Sequence, residues 1–127
     1  MFKGIEHVAI CAQDTEALAK WYVEKLGFVE CYRGSKTPPT LFVKQAGGSM
    51  IEIMPQQGPR PARKDNDGGL AHLALSVADF DAALAALMSR GVKLEGEPKE
   101  ASGGVKVAFF RDPEGNLIQA IYRPKAL

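Results

Sequence analysis

The sequence has few of the residues that stabilise small proteins by special means. Its 127 residues include only 2 cysteines, 2 histidines and 1 tryptophan. Cys11 and Cys31 form no CxxC pair, which favours two reduced, buried thiols over a disulfide or a redox couple. A chain of this length buries about two-thirds of the surface that its unfolded form exposes, so it needs neither a disulfide nor a metal to fold.

The sequence also has no excess of charge of one sign and no long apolar run. It contains 16 Lys and Arg against 15 Asp and Glu, which argues against a general attraction to nucleic acid or to an anionic membrane. The longest apolar run, residues 82–88, is far below the roughly 20 residues that cross a bilayer. Glu6 and His7 stand where a signal peptide would have its apolar region. We therefore expect a cytoplasmic protein that binds neither nucleic acid nor a membrane.

What the sequence does contain is an internal repeat. The segment Gly-Ile-Glu-His-Val-Ala-Ile at residues 4–10 has a counterpart in Gly-Leu-Ala-His-Leu-Ala-Leu at residues 69–75. His7 and His72 are thus 65 residues apart, about half of the chain, and Asp14 and Asp79 keep the same offset. Such self-similarity predicts two structurally equivalent modules.

Each module begins with an alternating apolar run, residues 5–11 and 70–77, that predicts a strand. A helix follows, with Asp14 or Asp79 as its N-cap and Gly27 or Gly91 as its left-handed C-cap. The remaining predicted strands are residues 28–32, 40–44 and 50–54 in the first module, and 92–96, 105–111 and 117–122 in the second. The pattern predicts an α+β fold of two tandem βαβββ modules, residues 1–54 and 70–127, joined by a connecting loop at 55–69.

Four short motifs are the most specific features of the chain. They are Glu-His-Val-Ala-Ile at 6–10, Trp-Tyr-Val-Glu-Lys-Leu-Gly-Phe at 21–28, His-Leu-Ala-Leu-Ser-Val at 72–77 and Phe-Arg-Asp-Pro-Glu-Gly-Asn-Leu-Ile-Gln at 110–119. Their order and the 65-residue offset resemble the vicinal oxygen chelate superfamily, which includes glyoxalase I, extradiol dioxygenases and bleomycin-binding proteins. The resemblance covers nearly the whole chain. It implies a single domain, residues 1–127, whose curved mixed sheets form a half-barrel around a metal site.

The resemblance also implies a metal ligand on the first and the fourth strand of each module. These positions are occupied by His7, Glu52, His72 and Gln119. Gln119 departs from the pattern, because glyoxalase I and many relatives have glutamate there. Two imidazoles, one carboxylate and one amide oxygen suit one divalent ion of Zn, Ni, Co, Fe or Mn better than Ca or Mg.

The residues themselves support part of this set. Glu52 lies in an apolar strand, where an unpaired inward-facing carboxylate costs several kcal/mol. The alternatives are structural histidines, a solvent-facing Glu52 after a one-residue shift of register, and a Gln119 that bonds a neighbouring strand or a substrate. In the connecting loop, Arg60 and Arg63 are candidates for binding an anionic substrate, with simple solvation as the alternative.

Three functions follow as hypotheses. The resemblance favours a glyoxalase-like, metal-dependent lyase or isomerase that takes a proton from a carbon beside a carbonyl. Glu52 is then the base, because an amide at position 119 cannot accept a proton near neutral pH. If Gln119 does not bind the ion, His7, His72 and Glu52 form the set typical of an Fe(II) enzyme such as an extradiol dioxygenase. The third hypothesis is a non-catalytic protein that binds a small molecule, as bleomycin-resistance relatives do. Relatives of this length also imply a homodimer, with each site inside one chain or shared by two.

Overall fold

The computed structural model describes residues 1–127 and divides into two compact units, Met1–Pro61 and Ala62–Leu127. Each unit contains one α-helix and one four-stranded sheet in the order βαβββ. The predicted α+β class and the repeated topology are therefore confirmed. Neither sheet closes on itself, because each one ends in two different edge strands.

The first unit holds four strands: β1 (His7–Ala12), β2 (Val29–Arg33), β3 (Leu41–Lys44) and β4 (Met50–Pro55). Their order in the sheet is β1, β4, β3, β2. β1 runs parallel to β4, and the other neighbours are antiparallel. Helix α1 (Thr15–Leu26) follows β1 and packs against β3 and β4.

Helix α1 begins and ends where its capping residues predict. The Asp14 side chain accepts a hydrogen bond from the Ala17 backbone N–H at 2.9 Å, and Gly27 ends the helix at a φ of 75°, a left-handed conformation that glycine adopts without steric cost. Leu18 and Tyr22 on the inner face are fully buried. Tyr22 also meets the ring of Phe28 edge to face at 5.4 Å. An aromatic contact with the residue that precedes β2 therefore adds to the apolar burial that fixes the helix.

The second unit repeats this arrangement. Its strands are β5 (Leu73–Ser76), β6 (Lys99–Glu100), β7 (Lys106–Arg111) and β8 (Leu117–Tyr122), in the sheet order β5, β8, β7, β6. β5 is parallel to β8. Helix α2 (Phe80–Ser89) packs against β8, and its N-cap Asp79 accepts from the Ala82 N–H at 3.0 Å. No helix has the length and apolar character that a membrane-spanning helix needs.

The predicted strand at residues 92–96 is wrong. Only Leu94 makes an isolated bridge, to Phe110, and the strand that pairs with β7 is the two-residue β6. Between them lie Gly96, which has a φ of 72°, and Pro98, which has no N–H to donate to a ladder. These two residues interrupt the extended pairing that the apolar pattern predicted.

Two smaller predictions also need correction. Helix α2 ends one residue early, so that Arg90 is its cap and Gly91, with a φ of 78°, follows it. Cys11 and Cys31 are free, as predicted, but both are exposed rather than buried. Cys11 lies on the face of β1 opposite the buried Ile10 and Ala12, and Cys31 lies in edge strand β2, all of which is exposed.

Alternation along the strands gives each sheet one buried face and one open face. On the buried face of the first sheet lie Leu41, Val43, Ile51 and Ile53. On the buried face of the second sheet lie Ala108, Phe110, Ile118 and Ala120. Because side chains alternate, the residues between them point to the other face, and these include Glu52 and Gln119.

Candidate functional site

In the first unit, His7 and Glu52 are in contact on the open face of the sheet. His7 begins β1, and Glu52 in β4 pairs with Ala9 two residues further along β1. The His7 Nε2 atom lies 3.3 Å from Glu52 Oε2. The two side chains keep 35% and 21% of their exposure. Both side chains are therefore partly covered by the protein and remain accessible to a small ligand.

Glu6 holds the other nitrogen of the same imidazole. Its carboxylate binds His7 Nδ1, which leaves Nε2 directed at Glu52. The hydrogen bond to Glu6 raises the pKa of His7 above its ordinary value of 6.5. Desolvation opposes this shift, and the charges of Glu6 and Glu52 add to it. Histidines that bind metals usually donate their second ring N–H to a carboxylate, carbonyl or water in this way.

Phe42 lies beside both members of this pair. Its ring meets His7 edge to face, with the centroids 5.4 Å apart and the planes at 74°. In the ladder between β3 and β4, Phe42 lies directly opposite Glu52. The imidazole and the carboxylate thus share one aromatic neighbour, which limits the directions in which either side chain can turn.

The second unit repeats the layout without the two carboxylates. His72 immediately precedes β5 and meets Phe109 edge to face at 5.5 Å and 85°. Phe109 lies directly opposite Gln119 in the ladder between β7 and β8. Ala71 stands where the first unit has Glu6, and Gln119 stands where it has Glu52. The contact of histidine with phenylalanine recurs, and Gln119 has the ladder position of Glu52, but the carboxylates are confined to the first unit.

The spacing in the first pair fits two ligands of one metal ion. Ligand atoms about 2.1 Å from a tetrahedral Zn²⁺ are about 3.4 Å from each other, close to the 3.3 Å between His7 Nε2 and Glu52 Oε2. Neither unit alone brings three His, Cys, Asp or Glu side chains together around one point. Each unit therefore carries two of the four residues that the sequence predicts as ligands, and their binding of a metal stays a prediction.

The two arginines of the connecting loop lie outside the strands that carry these pairs. Arg63 donates to the Asp67 carbonyl at 3.0 Å, and Asp67 Oδ2 accepts from the Lys64 N–H at 2.7 Å. Arg63 thus closes a turn of the loop itself. Arg60 is exposed in the last residues of the first unit. Their role in substrate binding stays a prediction.

Four residues that shape these surfaces were not predicted from the sequence: Glu6, Phe42, Phe109 and Arg111. Glu6 has a sequence signal, since it is the carboxylate next to His7. Phe42 and Phe109 have one as well, because each lies opposite a predicted ligand across a short hairpin. Arg111 has none, because its partners, Glu95 at 2.5 Å and Asp65 at 2.6 Å, are distant in sequence.

Comparison with known proteins agrees with the fold. "Uncharacterized protein YaeR" of Escherichia coli is 36% identical over 118 residues, which are 89% of this chain and 91% of that protein. "Uncharacterized protein YwkD" of Bacillus subtilis is 33% identical over 119 residues, which are 90% and 92%. The crystal structure of a glyoxalase family protein from Enterococcus faecalis matches with a TM-score of 0.79 and 32% identity, covering 94% of this chain and 98% of that one.

A second solved structure, TnmS3 from Streptomyces sp. CB03234, is described as an antibiotic binding protein. It matches with a TM-score of 0.75 and 25% identity, over 96% of this chain and 97% of that one. A sequence model of the Glyoxalase/Bleomycin resistance protein/Dioxygenase superfamily matches residues 4–120. Since this match spans nearly the whole sequence, the chain belongs to the Glyoxalase/Bleomycin resistance protein/Dioxygenase superfamily.

Proposed function

We propose that the protein is a metal-dependent lyase or isomerase that removes a proton from a carbon beside a carbonyl of a small chelating substrate. One divalent ion (Zn, Ni, Co, Fe or Mn) would be held by His7, Glu52, His72 and Gln119, supplied by one chain or by two chains of a dimer. The observation that carries the proposal is the contact of His7 Nε2 with Glu52 Oε2 at 3.3 Å. The equivalent layout of His72 and Gln119 supports it.

Glu6, His7 and Glu52 have distinct roles in this reaction. Glu6 holds Nδ1 of His7, so that Nε2 is the atom offered as a ligand. A bound divalent ion would polarise the oxygens of the substrate and make the neighbouring C–H more acidic. Glu52 accepts that proton. Because Oε2 faces His7, Oε1 is the oxygen that receives it.

The second pair constrains the route of the proton. Gln119 is an amide, and an amide cannot accept the proton at a useful rate near neutral pH. Glu52 must therefore both take the proton and return it to the neighbouring atom of the product. The reaction uses one base rather than two, and its acid–base chemistry belongs to the first unit.

Metal content tests the ligand set. Protein purified without a metal-affinity step should contain about one divalent ion per site, and His7→Ala and His72→Ala should each remove it. Lys44→Ala, at an exposed position of β3 that holds no predicted ligand, should keep the ion. All variants should retain the wild-type circular dichroism, since the core does not depend on metal. Stoichiometric metal in the double histidine variant would refute the site.

A pair of reciprocal substitutions tests the base. Glu52→Gln should keep an oxygen ligand but slow the exchange of solvent deuterium into hydroxyacetone and small hemithioacetals by about 10²-fold or more, the usual size of a general-base contribution. Gln119→Glu should preserve or raise the rate, and it should partly rescue the Glu52→Gln variant. Full exchange activity in metal-loaded Glu52→Gln would exclude Glu52 as the base.

A binding protein without turnover is the second candidate function. The likeness to TnmS3, described as an antibiotic binding protein, favours it, and so does the lack of a carboxylate in the second pair. In that case none of the variants would catalyse exchange, and substitutions at Glu52 would change only the affinity for a small ligand. The exchange measurement therefore separates the two candidates directly.

A further inference from the structure

An aromatic row crosses the open face of the first sheet beside the charged pair. Tyr32 in β2 pairs with Phe42 in β3, and their rings meet edge to face at 5.7 Å and 83°. Phe42 lies opposite Glu52 in β4 and also contacts His7. A continuous row of side chains therefore runs from the edge of the sheet to the carboxylate proposed as the base.

Tyr32 is an aromatic residue whose side chain is largely exposed to solvent. It keeps 57% of its exposure, whereas Tyr22 in the core keeps none. The Tyr32 ring contacts that of the half-buried Phe42, so the two rings form one patch, and apolar groups that are exposed together, rather than singly, mark a binding surface.

A β-bulge places Tyr32 in this row. The register of β2 against β3 shifts between Glu30, which pairs with Val43, and Tyr32, which pairs with Phe42. Without the extra residue, Cys31 would lie opposite Phe42 and Tyr32 would point to the buried face. Bulges of this kind re-aim a side chain beside a functional site.

The second unit has no such row. There the segment beside Phe109 contributes Glu95, whose N–H donates to the Phe109 carbonyl at 2.7 Å, and the paired strand β6 consists of Lys99 and Glu100. The aromatic surface thus occurs only beside the pair that carries the negative charge. The two otherwise equivalent units therefore differ in the aromatic surface that they offer to the apolar part of a ligand.

We propose that Tyr32 is a specificity-determining residue that selects substrates in which a flat aromatic group is attached to the chelating oxygens. The proposal rests on the proposed function, because it places the chelating end at His7 and Glu52. Neighbouring strands are about 4.8 Å apart, so Phe42 and Tyr32 lie roughly one and two strand spacings from Glu52. An aromatic ring bonded directly to the chelating group would extend from Glu52 past Phe42 toward Tyr32.

Two hydroxamates test this inference, because they share one chelating group and differ in the attached group. Benzohydroxamate carries a phenyl ring and acetohydroxamate carries a methyl group. After correction for their affinities for the free ion, the metal-loaded protein should prefer benzohydroxamate by roughly tenfold, the size expected of an aromatic contact. Tyr32→Ala should reduce this preference to within about twofold, whereas Tyr32→Phe should keep it. Val29→Ala, on the same exposed strand, should also keep it.

The outcomes distinguish this inference from the function on which it rests. If Tyr32→Ala binds metal and acetohydroxamate normally and still prefers benzohydroxamate, Tyr32 does not determine specificity and only this inference is overturned. If the wild-type protein binds no metal, the proposed function is overturned and this inference with it. Tyr32 is exposed, so its removal leaves the core intact, and the Tyr32→Phe variant keeps the ring should the alanine variant fail to fold.

Discussion

At the scale of single residues, the two histidines differ in what holds them. His7 is bound on one side by Glu6 and faces Glu52 on the other, whereas His72 has an alanine in the position equivalent to Glu6. Both imidazoles contact a phenylalanine in the same way. The aromatic contact is thus common to both units, and the electrostatic support belongs to one.

Replacing Glu6 tests that support. Because Glu6 raises the pKa of His7, Glu6→Gln should lower the pKa that NMR measures for this imidazole. A protonated Nε2 cannot bind a metal, so metal affinity should fall as the pH falls through the pKa of His7, and at a lower pH in the variant. At high pH, loss of the carboxylate should weaken metal binding by about 10- to 100-fold. Glu97→Gln in the other unit is the matched control, and an unchanged His7 titration in Glu6→Gln would contradict the assignment.

At the scale of secondary structure, capping residues and apolar alternation correctly predicted the elements that depend on neighbouring residues in the sequence. Asp14 and Asp79 cap their helices as their side-chain chemistry requires, and strand β8 has the bounds that its alternating pattern predicted. The strand at 92–96 failed because Gly96 and Pro98 determine the backbone there. Nothing in the alternation of β2 revealed the bulge that turns Tyr32 toward Phe42, since a bulge depends on the partner strand.

The connecting loop shows an element held by contacts that the sequence did not reveal. Arg111, at the end of β7, donates to Asp65 in the loop at 2.6 Å, to Glu95 at 2.5 Å and to the Gly115 carbonyl at 2.9 Å. One guanidinium therefore ties the loop to the hairpin between β7 and β8. The neighbouring Arg63 and Lys64 are exposed and provide trypsin sites that report on this attachment.

We expect Arg111→Met to release the loop. Trypsin should cleave after residues 63 and 64 several times faster than in the wild-type protein, as mass spectrometry of the fragments can show. The free energy of unfolding should fall by only about 1 kcal/mol, because the charged groups are partly exposed and screened by solvent. Arg123→Met removes an exposed arginine near the C-terminus and should change neither quantity. Equal cleavage rates in Arg111→Met and the wild type would show that other contacts hold the loop.

At the scale of the whole molecule, the apolar surface predicts self-association. Ile5 and Leu70 occupy equivalent positions two residues before the two histidines, and they are 86% and 64% exposed. Phe2 is 92% exposed. Large apolar side chains that recur at such positions indicate a surface that another chain covers. The homodimer implied by the resemblance is therefore also favoured by exposed residues of both units.

Sedimentation measures this directly. The wild-type protein should sediment as a dimer at micromolar concentration, and the double variant Ile5→Ser, Leu70→Ser should weaken association by about tenfold or more through loss of apolar burial. Met88→Ser, which replaces an exposed apolar residue of helix α2, is the matched control and should leave the dimer unchanged. A wild-type monomer at micromolar concentration would contradict the prediction.

The repeated contact of histidine with phenylalanine has a consequence for the ancestry of the chain. If a gene of half this length once encoded a single module, both copies in any assembly of that module had to carry the same residue opposite the phenylalanine. After duplication and fusion, each copy can mutate alone, and here one encodes Glu52 while the other encodes Gln119. The fused gene thereby permits an unequal division of labour, with one acidic and one neutral position, that no symmetric assembly of identical modules can encode.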